Sequence, residues 1–190
     1  MKAIICGAGI TGLSAANFLS AKGWDVTLVE RSAGPRPEGY MIDFFGPGWQ
    51  AAIHMGVIGR IRDLGYDVNR IDYVDSSGRS TAHLGYESFT KVVGDRLRSI
   101  LRPDLEQAIR EVLPDSVELL YSTTISSIHD SSTAATVSGG KVDVELSDGR
   151  RLTADLLIGA DGIHSAVRAQ MHPAQPPIHR QPRRLARHAR

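Results

Sequence analysis

Apolar residues fall along this 190-residue chain in blocks whose spacing changes several times. Residues 3–6, Ala-Ile-Ile-Cys, form an unbroken apolar run, the pattern of a parallel strand covered on both faces. Leu13, Ala16 and Leu19 recur at helical steps, and Gly23 stands where such a helix stops. Val26, Leu28 and Val29 make a second strand, which Glu30 closes. The opening is thus a strand–helix–strand unit. A Gly/Pro-rich loop follows, then a short strand in "MIDFF" (41–45), then helical steps at Trp49, Ala52/Ile53, Val57, Ile58 and Ile61 through the run 46–65.

The pattern changes again after residue 70. Ile71 and Tyr73, then Ala82, Leu84 and Tyr86, alternate around a Gly78-Arg79 turn, which predicts a β-hairpin. A hairpin is foreign to a purely doubly wound sheet, so it reads as a piece of a second domain. The run 99–114 predicts a helix, with Pro103 near its start, Leu105, Ala108/Ile109 and Val112/Leu113 on one face, and Pro114 at its end. Alternation returns at Val117, Leu119 and Tyr121, then at Ile125 and Ile128, and at Val142, Val144 and Leu146 between the turn dipeptides Gly139-Gly140 and Asp148-Gly149. These predict a small β-meander. It leads into an apolar strand at 156–158 that ends in Gly-Ala-Asp-Gly (159–162).

Candidate chemistry sits where the strands end. Gly7, Gly9 and Gly12 have G-x-G-x-x-G spacing between a strand and a helix. Gly7 allows the tight turn, Gly9 has no β-carbon to block a pyrophosphate, and Gly12 lets the helix lie against the strand. Phosphates at that helix N-terminus meet unpaired N–H groups and the positive end of the helix dipole. Glu30 is placed to accept from a ribose 2′-hydroxyl and to repel a 2′-phosphate. The pocket therefore suits NAD or the ADP half of FAD rather than NADP. Asp161, between Ala160 and Gly162, can bond backbone or ribose donors from a turn in which Gly162 tolerates positive φ. Why a short chain should carry two glycine-ended strands is the question its pattern poses.

Composition narrows the classes. Cys6 is the sole cysteine, so no disulfide framework or thiolate metal cluster is expected. The five arginines of 171–190 meet no acid there and exceed the net charge of +1, leaving residues 1–170 at −4. A mildly acidic body gives no nucleic-acid surface, and no segment reads as a signal peptide or membrane span, so a cytoplasmic location is expected. The tail holds four of the nine prolines and no surviving period, which predicts either a disordered basic segment or a change of reading frame. His54, His164 and Arg36 read as packed or exposed side chains, and no hydrolytic triad is evident.

Taken together, "GAGITGLSAANFLSAKGWDVTLVER", "LRPDLEQAI" and "LIGADGIHSAVR" resemble, in order and spacing, the FAD-dependent aromatic hydroxylases, single-component flavoprotein monooxygenases similar to para-hydroxybenzoate hydroxylase. "EGYMIDFFGPGWQAAIHMGV" looks most like the members that act on polyketide and tetracycline-type substrates. The resemblance covers residues 1 to 170. It implies an α/β fold: a Rossmann-like FAD-binding domain (1–72 and 94–170, discontinuous) with a small β-meander and part of an inserted substrate-domain sheet (73–93). It also implies FAD as cofactor, NAD(P)H as co-substrate, O2, and a small aromatic or polyketide substrate. Carried over, Gly7, Gly9, Thr11 and Gly12 line the pyrophosphate, Glu30 takes the adenosine ribose and Arg31 flanks the adenine. Asp43 lies near the flavin ring, Arg102 approaches the phosphates, and Asp161 and Gly162 form a turn shared by flavin and pyridine nucleotides. Arg98 also fits the arginine position; the distance from Arg102 to Pro114 and Val117 favours Arg102.

In the reaction so implied, the nicotinamide reduces the flavin, and the reduced flavin activates O2 and delivers one oxygen to the ring. Members of this family carry a later Gly-Asp motif against the ribityl chain, and no "GDAAH"-like run occurs here. The expectation is an N-terminal portion of such an enzyme, prone to self-association or completed by another chain, and unable to hydroxylate alone. Two other readings stay open on the residues: an NAD-dependent oxidoreductase using the first motif only, and a non-catalytic FAD- or nucleotide-binding fragment.

Overall fold

The computed structural model describes residues 1–87, 91, 94, 96–130 and 140–172. Strand β1 (Lys2–Cys6) lies at the centre of a four-stranded parallel sheet of order β11–β1–β2–β7, with β2 at Asp25–Val29, β7 at Glu118–Leu120 and β11 at Leu156–Gly159. Helix α1 (Ile10–Ser20) connects β1 to β2 and buries Gly12, Leu13 and Ala16.

The apolar run of β1 is used on both faces, as alternation along a strand requires. Ile5 joins Leu13, Ala16, Val26 and Leu28 in a core shared with α2 (Pro47–His54), α3 (Ile58–Leu64) and α4 (Arg102–Glu111). Ile4 and Cys6 join Val29, Ile125, Val144, Leu146 and Ala154 in a second core on the opposite face. That second face is covered by an antiparallel sheet of order β10–β9–β8, comprising β8 (Ile125–Asp130), β9 (Val142–Leu146) and β10 (Arg151–Ala154). The domain is therefore three-layered: helices, parallel sheet, antiparallel sheet. Full burial of a leucine or isoleucine contributes about 1.5–3 kcal/mol, so these two cores supply the main stabilisation.

Two short antiparallel pairs complete the described residues: β3 (Met41–Phe44) with β6 (Arg98–Leu101), and the hairpin β4 (Arg70–Val74) with β5 (Ser80–Gly85). The hairpin turn falls at 75–79, where the Asp75 carboxylate accepts from the N–H groups of Ser77 and Arg79. Among the described residues no helix is long and apolar enough to cross a membrane.

Two expectations need correction, and the helical steps of 46–65 gain a break. The helical run 46–65 is two helices, because Gly56 takes φ 73° and stops α2 with its N–H on the Ile53 carbonyl. The helix at 99–114 starts at Arg102; the residues before it are strand β6, which pairs Ser99 with Asp43 and Ile100 with Ile42. The residues around Leu119 belong not to the meander but to the parallel sheet, through Leu28↔Leu119 and Val29↔Leu120. Leu119 packs on the helix-side core and Leu120 on the other, so both faces are in demand and simple alternation is lost. The Gly139 turn residue, part of the 73–93 segment and the tail beyond residue 172 lie outside the described residues.

Candidate functional site

The two glycine-ended strands are neighbours. Register pairs Cys6 with Gly159, and the Ala160 N–H donates to the Cys6 carbonyl at 2.7 Å, so both chains leave the sheet at one level. A β-carbon on Gly7 (φ 105°) would stand 2.5 Å from the Ala160 carbonyl oxygen. On Gly12 it would stand 1.8 Å from the Gly7 oxygen. The two turns and the start of α1 are thus packed backbone on backbone, and only hydrogen fits between them. This is the carboxyl edge of a parallel sheet beside its central strand, where such sheets bind ligands.

Between the turns opens a cleft of about 570 Å³. Eight of the ten candidate residues line it: Gly7, Gly9, Thr11, Glu30, Arg31, Arg102, Asp161 and Gly162. Gly12 sits just behind, buried in the first turn of α1. Asp43 is not brought here. It lies on β3, where one carboxylate oxygen accepts from the Ser99 hydroxyl at 2.6 Å and from the Tyr86 hydroxyl. Of the two candidate arginines, Arg102 reaches the cleft, with Nη2 3.4 Å from where a Gly9 β-carbon would be. Arg98, on β6, instead pairs with Asp67. His54 is exposed on α2, while Arg36 and His164, both exposed, stand at the cleft wall.

The electrostatics suit an anion flanked by hydroxyls. Helix α1 has Gly9 at its N-cap, with no capping side chain and no acid in its first turn, so its leading N–H groups have no partner of that kind. Glu30 accepts from the Ala8 N–H at 2.8 Å and the Ser32 N–H at 2.9 Å. Partial burial disfavours its charge, but these N–H donors, the Ser32 hydroxyl and the Arg36 charge outweigh that and hold the carboxyl below its ordinary range. Asp161 uses Oδ2 to accept from the N–H groups of Ala166 and Val167, at the start of α5 (Ala166–Met171). Its Oδ1 is buried without a hydrogen-bond partner among the described residues. Cys6 lies on the cleft floor, and burial, then the Asp161 charge, push its thiol up to about 11. It is a neutral wall residue.

Sequence reasoning missed Thr123 and Thr124, which enter the cleft from the link between β7 and β8. No motif marks them; the Thr123 N–H is brought there by donating to the Glu30 carbonyl. It also missed Glu106 and Arg110, which stand behind Arg102 on α4 and were legible only as charges four residues apart.

A cleft at a glycine-rich strand–helix turn, with an acid closing β2 and a second turn offering an unpaired carboxylate oxygen, defines a dinucleotide-binding α/β domain. An FAD-binding-domain family model matches residues 1–179, and the chain belongs to that family. It is 35% identical over 173 residues to a flavin-dependent monooxygenase of Phoma sp, covering 90% of this chain and 40% of that protein. It is 32% identical over 168 residues to a flavin-dependent monooxygenase of Legionella longbeachae, covering 88% and 41%. Its fold is similar to that of the tetracycline destructase Tet(51) (TM-score 0.72, 30% identity, 89% of this chain and 40% of that one). It is also similar to R204Q HpxO of Klebsiella pneumoniae complexed with FAD (TM-score 0.69, 30% identity, 89% and 42%). The chain spans about two fifths of the length of these relatives.

Proposed function

We propose that this chain grips the adenosine and pyrophosphate of FAD in a cytoplasmic FAD- and NAD(P)H-dependent monooxygenase that hydroxylates an aromatic or polyketide-type small molecule. The observation that carries the reading is one cleft that gathers the uncapped N-terminus of α1, Glu30, Arg102 and the Asp161 turn, whose Oδ1 is buried with no hydrogen-bond partner among the described residues. A buried carboxylate oxygen without a donor is costly unless a ligand hydroxyl or N–H completes it. The donor set fits the cofactor: N–H groups for phosphate, a depressed carboxyl for ribose, an arginine between them.

In this reading the N–H groups behind Gly9 and Thr11 and the guanidinium of Arg102 take the pyrophosphate. Glu30, ionised and held by Ala8 and Ser32, accepts from the adenosine ribose, and Arg31 lies along the adenine. Asp161 and Gly162 present the second turn to the flavin nucleotide and to the incoming pyridine nucleotide. Asp43, outside the cleft, acts further along the cofactor near the flavin ring. When bound, FAD supplies electron acceptance from the nicotinamide and activation of O2. Residues 1–72 and 94–170 form the cofactor domain, and the segment 73–93, which holds most of the β4–β5 hairpin, belongs to the substrate side. The similarity to a tetracycline destructase supports the polyketide-type substrate class.

The test is FAD titration of the 190-residue chain, read by flavin fluorescence and competed with ADP. Arg102→Ala should weaken FAD by about 1.5–3 kcal/mol, the range for a hydrogen bond to a charged group. Arg98→Ala should lower the melting temperature and leave FAD affinity unchanged. Loss in Arg98→Ala with no change in Arg102→Ala refutes the assignment.

A further inference from the structure

We infer that Glu106 and Arg110, neither of which lines the cleft, set the strength of phosphate binding by clamping Arg102. The inference rests on the cofactor reading above. Arg102, Glu106 and Arg110 stand one turn apart on α4, on a stripe that packs toward the glycine turn. Glu106 is 5% exposed, and its two oxygens are divided: Oε2 lies 3.1 Å from Arg102 Nη1, and Oε1 lies 2.9 Å from Arg110 Nη2. Arg110 Nη2 also reaches the Ala8 carbonyl at 3.5 Å, within the glycine turn itself. A Gly9 β-carbon would lie 3.4 Å from Arg102 Nη2 and 3.9 Å from Glu106 Oε2, so the carboxylate sits directly behind the arginine's cleft-facing edge.

The charge count explains why both partners are needed. An arginine paired with one carboxylate is neutral as a unit and offers little to an anion. A second arginine restores a net charge of +1 to the cluster. The carboxylate meanwhile draws Nη1 to 3.1 Å by charge, an ion pair that does not reach hydrogen-bond geometry, and Nη2 stays beside Gly9. Glu106 thus costs the site positive charge and gives it geometry in return. Exposed ion pairs on helices contribute little, but this carboxylate is buried, and an unbalanced buried charge is avoided by pairing.

The two roles of Glu106 predict opposite signs for one substitution, which makes the inference testable. Glu106→Gln raises the cluster charge from +1 to +2 and keeps the side-chain shape. If charge alone governs phosphate binding, ADP binds more tightly. If the clamp governs it, ADP binds about tenfold more weakly, each 1.4 kcal/mol being a factor of ten. Calorimetry with ADP and with adenosine, which lacks phosphate, should show the loss for ADP only. In an Arg102→Ala background the loss on Glu106→Gln should vanish, as expected for two residues acting as one. Arg110→Met should also weaken ADP and not adenosine. Unchanged or tighter ADP binding in Glu106→Gln, or an equal loss for adenosine, overturns the clamp. A second readout needs no ligand: guanidinium rotation of Arg102, followed by 15N NMR, should be slow in the wild-type chain and fast in Glu106→Gln. Were the wild-type chain to bind neither ADP nor FAD, the cofactor reading would fall, and equal rotation in the two proteins would then refute the clamp separately.

Discussion

Adding a single methyl group at three glycines of the site should produce three very different losses of stability. At Gly162 a β-carbon meets nothing within 4 Å, so Gly162→Ala costs only the strain of φ 83°. That is about 1–2 kcal/mol for an L-residue in the left-handed region. Gly7→Ala carries the same strain at φ 105° and adds a β-carbon 2.5 Å from a backbone carbonyl oxygen. Overpacking against atoms that cannot rotate away costs about 1–3 kcal/mol more, for a total of about 2–5 kcal/mol. Gly12 has ordinary helical geometry, so alanine would regain about 1 kcal/mol of helix propensity. Against that, its β-carbon would lie 1.8 Å from the Gly7 oxygen, and α1 must leave β1 altogether. The order of destabilisation is therefore Gly12→Ala, Gly7→Ala, Gly162→Ala, the first exceeding about 4 kcal/mol, the range of severe substitutions. Urea unfolding of the chain without ligand, followed by circular dichroism, gives the three values directly. If Gly7→Ala matched Gly162→Ala, the two turns would not be packed against one another, and the account of the cleft would fail.

Two further outcomes follow from single side chains. Glu30→Ala strips the acceptor from the Ala8 and Ser32 N–H groups and should destabilise the chain and weaken ADP by about 1–3 kcal/mol each, measured by urea unfolding and calorimetry. Because the folded state holds the Glu30 carboxyl below its ordinary 4.5, its contribution is complete above that pH and is lost as the pH falls through the lower folded value. Wild-type and Glu30→Gln stabilities should therefore converge on acidification and separate at neutral pH; a constant gap would refute this. Cys6, with its thiol raised to about 11, should resist a thiol-specific reagent at pH 8 and react once on unfolding; rapid labelling of the native chain would contradict the burial.

Local pattern carried the opening unit far. The apolar run of β1, the glycine spacing, the helical steps of α1 and Glu30 at the end of β2 lie within one short stretch, and each depends on neighbours in sequence. The hairpin at 70–85 was legible for the same reason, since its turn chemistry and alternation are local. The helical steps of 46–65 were legible but the break at Gly56 was not, because a glycine can be tolerated within a helix or can end one, and packing of Val57 into the core decides which.

What the sequence by itself determined is the nature of the parts: a glycine-rich strand-to-helix turn, an acid closing the next strand and an Asp-Gly turn, each set by backbone sterics and the chemistry of a few side chains. What only the tertiary structure decided is their arrangement. Pairing Cys6 with Gly159 joins segments more than 150 residues apart, and that register alone brings Asp161 beside Gly7. Strand β7 entered the parallel sheet because both of its faces found apolar partners, which no alternation rule could announce. Arg102 was separated from Arg98 by the strand-to-helix switch after Leu101, and Glu106 became a candidate clamp only once α4 lay against the Gly9 turn. Contacts of high sequence separation depend on which surfaces are left to bury after local structure has formed. That choice is made by the whole core at once.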